Sequence, residues 1–104
     1  MIEDIKRAFI RVFNDSIEDA RVIDLGEFRG YIVYSKLYEL TLRCDNELRC
    51  EAMLRYNDEP VITCTDRCVK DRLSKNISSD LVEELKIKVE EILKEIKAKP
   101  LSIL

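Results

Sequence analysis

Tyr38-Glu39-Leu40-Thr41-Leu42-Arg43-Cys44-Asp45-Asn46-Glu47-Leu48-Arg49-Cys50-Glu51-Ala52-Met53-Leu54-Arg55-Tyr56 decides the fold of this chain. On either side of the polar break at Asp45-Asn46-Glu47, apolar and polar residues alternate with period two, the signature of strands with one buried face. Tyr38, Leu40, Leu42 and Cys44 share one face, and after the break so do Leu48, Cys50, Ala52, Leu54 and Tyr56. The two runs therefore predict an antiparallel hairpin.

Charge selects its register. A three-residue loop sets Cys44 opposite Leu48 and Arg43 opposite Arg49. A five-residue loop sets Cys44 opposite Cys50, Arg43 opposite Glu51 and Glu39 opposite Arg55. Cross-strand pairs of opposite charge help and like pairs hurt, each by roughly 0.2–1 kcal/mol, which favours the second register.

The same strand pattern extends outward from the hairpin. Val22 to Leu25 and Tyr31 to Tyr34 read as two earlier strands joined through Gly26 to Gly30; Ser35-Lys36 reads equally as a turn, a bulge or the middle of a longer strand. Asn57-Asp58-Glu59-Pro60 turns the chain into a short strand, Val61 to Cys64. The expected sheet has four to five strands in meander order.

Helical periodicity flanks it. Ile2, Ile5, Phe9, Val12 and Phe13 recur at steps of three and four, and Asn14-Asp15-Ser16 breaks the run. After Cys64, Thr65 or Asp66 can cap a short helix running to about Ser74. Ser78-Ser79-Asp80 then caps a long amphipathic helix with Val82, Leu85, Val89, Ile92 and Ile96 as its stripe, Leu81 and Leu93 widening it, and Ile87 on the far side. Pro100 is expected to stop this helix, leaving residues 98–104 as an apolar tail. The fold expected for residues 1–104 is thus a single two-layer α+β domain: an N-terminal helix, the sheet, a short helix and a long C-terminal helix packed on the sheet.

The four cysteines, Cys44, Cys50, Cys64 and Cys68, stand in a chain with no histidine. The register brings Cys44 to Cys50, and the expected strand-to-helix junction brings Cys64 near Cys68, so two local disulfides follow; a Cys50 to Cys64 bridge, buried free thiols and a four-thiolate zinc site are the alternatives. The spacings, C-x5-C and C-x3-C without intervening glycine or proline, differ from the C-x-x-C knuckles of zinc ribbons and of thiol redox motifs. No cofactor is expected.

Without histidine there is no Ser-His-Asp or Cys-His machinery, and no glycine-rich phosphate loop is present. Asp24, Glu39 and Glu51 lack the lysine context of a nuclease centre. The expectation is a protein that is not an enzyme. Its 18 Lys+Arg against 21 Asp+Glu give a net charge of -3, with no global field for nucleic acid or membrane. Two local basic groups remain as nucleic-acid candidates, Arg67, Lys70, Arg72 and Lys75 on or just after the short helix and Arg43 with Arg55 on the hairpin's outer face.

Two functional readings follow. The first is a small interaction or regulatory protein, homodimeric and disulfide-stabilised, with Ile87, Leu101, Ile103 and Leu104 as contact candidates and a second copy or an unidentified protein as partner. The second is a nucleic-acid-binding module using the basic helix or hairpin face, zinc-stabilised if the cysteines are thiolates. The absence of glutamine, with only 2 Gly and 2 Pro, resembles the usage of small proteins of thermophilic archaea and their viruses, in composition only. No apolar run reaches membrane-span length and no signal peptide pattern opens the chain, so the expected location is the cytoplasm, that of the host if the protein is viral.

Overall fold

A computed structural model of the protein describes residues 1–103, residues 98–103 by their backbone alone; the contacts expected of Leu101, Ile103 and Leu104 lie outside what it describes, while the C-terminal helix runs on through Pro100, where it was expected to stop. The elements are α1 (Ile2–Phe13), β1 (Ile17–Asp24), β2 (Arg29–Ser35), β3 (Tyr38–Cys44), β4 (Cys50–Tyr56), β5 (Glu59–Cys64), β6 (Cys68–Lys70) and α2 (Ser79–Ile103). The six strands form one antiparallel sheet in sequence order. Both helices lie on one face of it, α1 toward β1 and β2, α2 toward β4 to β6.

The hairpin register is the one that charge selects: Cys44 pairs with Cys50, Arg43 with Glu51 and Glu39 with Arg55. Arg43 Nη2 lies 3.1 Å from Glu51 Oε2, while Arg55 donates to the Asp58 carbonyl at 2.7 Å. Asp45 holds the loop. Its carboxylate accepts the Arg49 and Glu47 N–H groups, each at 2.9 Å, and the Arg49 Nε at 2.8 Å. The Arg49 backbone N–H, first among these donors, keeps the Asp45 carboxyl below its ordinary range.

The helices bury the stripes their spacing announces. Ile5, Phe9 and Phe13 of α1 and Val82, Leu85, Val89, Ile92 and Ile96 of α2 meet Val33, Leu40, Leu42, Leu54 and Ile62 of the sheet in one core. Asn14 closes α1 in the left-handed region, φ 52°, its N–H donating to the Ile10 carbonyl at 2.9 Å. Ser78 caps α2, its hydroxyl accepting the Leu81 N–H at 3.3 Å. Rings join α1 to the sheet: Phe13 lies 4.7 Å from both Phe9 and Tyr38, and Tyr38 lies 5.3 Å from Tyr56.

Three further expectations change. The sheet has six strands where four to five were expected, and the first begins at Ile17 and not at Val22, its pairing with β2 continuing past a bulge at Glu18 that shifts the register. The short helix after Cys64 is replaced by strand β6, and Leu48 leaves β4 for the turn, with φ 62°. Thr65 and Asp66 can begin either a helix or a tight turn. The turn prevails because it lets Cys68 pair with Cys64 across β5 and β6, turns Val69 beside Thr63, and gives the Asp71 N–H the Val61 carbonyl at 2.7 Å. Ser35-Lys36 is a turn: β2 ends at Ser35, whose hydroxyl accepts the Tyr38 N–H at 3.0 Å.

Candidate functional site

Both disulfides stand at one end of the sheet's helix-covered face. Cys44 bonds Cys50 and Cys64 bonds Cys68, with Cα separations of 4.1 and 4.0 Å. Each is a directly opposed cross-strand pair, and because Cys64 also pairs with Ala52, the two bridges occupy adjacent rows. With every cysteine sulfur in an S–S bond, none is a thiolate for zinc, and no cluster of three or more His, Cys, Asp or Glu able to hold a metal occurs among the described residues. A cleft of about 250 Å³ opens beside them, lined by Cys50, Cys68, Arg67, Leu93, Lys94 and Lys97 among others. Cys50 is the half-buried member; Cys44, Cys64 and Cys68 are buried.

The basic candidates do not converge. Arg43 and Arg55 lie on the open face of the sheet, in the adjacent rows on either side of Met53, and the Arg43 guanidinium sits 4.6 Å over the Phe28 ring. Arg67 lies in the β5–β6 turn beside the disulfide cleft, Lys70 ends β6 on the row of buried Ile62, and Arg72 and Lys75 follow in the loop. The helix expected to carry the second group is absent from this segment. Asp71 organises it instead, accepting the Leu73 N–H at 2.8 Å and the Thr63 hydroxyl; the hydroxyl, first, and that N–H hold its carboxyl below the ordinary range.

Ile87 is exposed, as its place off the stripe implies, and no element of the described fold covers it. The row Ile32, Thr41, Met53, Thr63 and Val69 crosses the open face, with Met53 and Val69 partly exposed.

A free sheet edge lies at β1. This strand runs for 8 residues, pairs with β2 on one side only, and has exposed Val22 and Ile23. A groove of about 700 Å³ follows it on the helix side, lined by Lys6 and Ile10 of α1 and by Asn14 to Ala20. Along the edge Asp19 and Arg21 bond each other at 2.9 Å, and the Arg21 guanidinium beside it draws the Asp19 carboxyl below its ordinary value. Sequence reasoning misses Ile17 to Arg21 because the bulge at Glu18 places Ile17 and Ala20, three apart, on one face and so hides the period of two. The exposed Ile10, off the stripe of α1, is the signal that could have marked this edge.

No helix among the described residues is long and apolar enough to cross a membrane. No family model, no curated protein and no solved structure matches this chain, so its function has to be read from its own surfaces.

Proposed function

We propose that this protein is a small non-enzymatic interaction protein that works as a homodimer on a disulfide-stapled sheet. The observation that carries the reading is the unpaired edge of β1. An eight-residue strand with free backbone groups is a template for another strand, and β1 shows opposite charges, Asp19 and Arg21, in a run that reads well against itself. A second copy brings the same edge and the same groove, which is what a closed two-fold contact needs. The two disulfides and the Glu-, Lys- and Ile-rich, glutamine-free composition fit the cytoplasm of a thermophilic archaeon, or of one carrying a virus, where intracellular disulfides persist.

Sedimentation equilibrium over a concentration series tests the reading. A mass that rises to that of two chains supports it; a strict monomer at the highest concentration overturns it.

A further inference from the structure

Leu25 donates its N–H to the Phe28 carbonyl at 3.0 Å across the turn that joins β1 to β2. Hydrogen-bonded and non-bonded pairs alternate along an antiparallel ladder, so Ile23 and Arg21 turn their backbone groups to β2 while Val22 and Ala20 turn theirs outward. Outward backbone groups therefore recur along the edge at Ala20 and Val22, the Ala20 N–H being held in the single chain by the neighbouring Asp19 Oδ1 at 2.9 Å and exchanged for a strand partner on pairing. Three two-fold registers centred in the middle of the strand compare as follows for a second β1 running antiparallel. Centred on Arg21, the register sets Arg21 against Arg21 of the second copy. Centred on Val22, it sets Arg21 against Ile23 and Ala20 against Asp24. Centred on Ala20, it sets Asp19 of each copy against Arg21 of the other, twice.

Like charges directly opposite oppose pairing and unlike charges favour it, so charge leaves the third register. Asp19 and Arg21 are both exposed and already joined in one strand, so the pairing completes a four-membered ring of alternating charge on the open face of the sheet. On the helix face the same register sets Val22 of the second copy opposite Glu18, alongside the groove. There Ile10, 48% exposed, and Val22, 49% exposed, supply apolar surface that the described fold leaves uncovered.

We infer that two copies of this chain join their β1 edges antiparallel about Ala20, making one continuous sheet of twelve strands, six from each copy, held in register by reciprocal Asp19–Arg21 pairs between copies. The assignment rests on the homodimer reading above and names its surface. The contact is isologous, so each substitution is felt twice.

Complementary charge reversal tests it by sedimentation and native mass spectrometry. Asp19→Lys sets lysine against arginine, and Arg21→Glu sets aspartate against glutamate; each alone weakens self-association by about tenfold or more. Mixing the two variants restores a 1:1 heterodimer, since the lysine of Asp19→Lys in one copy then faces the glutamate of Arg21→Glu in the other while a native Asp19–Arg21 pair remains at the second contact. The pair within each strand stays broken in both variants, so recovery on mixing reports contact between copies. A wild-type dimer whose affinity neither substitution changes, or a mixture that fails to recover, overturns the β1 assignment and leaves the homodimer standing. A monomeric wild type overturns both.

Discussion

Cys50 shares its cross-strand bridge with buried Cys44, and it is the half-buried cysteine among the four. Thiol–disulfide exchange needs a line of approach to one sulfur, so access orders the two bridges. A small-molecule dithiol should open Cys44–Cys50 first, through Cys50, and Cys64–Cys68 only later, because Cys64 and Cys68 are both buried. Timed alkylation followed by peptide mapping checks the order; labelling of Cys64 before Cys50 would contradict it.

Each bridge closes a short loop, with sequence separations of 6 and 4. In the chain-entropy model such loops contribute about 2 kcal/mol each. Replacing Cys44 and Cys50 together by alanine should cost about that much in urea unfolding, and replacing Cys64 with Cys68 a similar amount, the two losses adding within about 0.5 kcal/mol only if adjacency does not couple them.

Acid should weaken the fold through its aspartates. The carboxyls of Asp45 and Asp71 are held below the ordinary value of 3.8 by hydrogen bonds that exist only in the folded chain. A depressed folded pKa contributes stability above the unfolded value that is lost as pH falls through the folded one. The melting temperature should therefore be level above about pH 5 and fall below about pH 4. In Asp71→Asn the acid loss should shrink, and an unchanged pH profile would remove Asp71 from the account.

The apolar stripe of α2 makes a sharp contrast. Ile92→Ala empties a fully buried site and should cost about 2–5 kcal/mol. Ile87→Ala, on the same helix but 54% exposed, should change stability by less than about 0.5 kcal/mol. Chemical denaturation of the two variants separates them.

Gly26 sits at φ 82° in the turn between β1 and β2, with open space where a Cβ would project. The cost of Gly26→Ala is thus conformational and not steric, about 1 kcal/mol. A loss of several kcal/mol would point to a contact that the turn does not show.

Wherever neighbours in sequence are also neighbours in space, the fold was legible. The alternation from Tyr38 to Tyr56, the charges of Arg43 and Glu51, the cap at Ser78 and the stripe from Val82 to Ile96 each act over a few residues, so the sequence by itself determined the central hairpin, its register, the Cys44–Cys50 pairing and both helix faces. Residues 65–70 and 17–20 were decided by tertiary structure alone. Thr65-Asp66 suits a helix cap as well as a turn, and the choice fell to strand pairing and the Cys64–Cys68 bond, which join residues to a sheet already formed. At β1 the bulge at Glu18 breaks the alternation, and only the position of α1 relative to the sheet leaves an edge with a groove beside it. A free edge is a property of where the sheet ends in space, which no local spacing encodes.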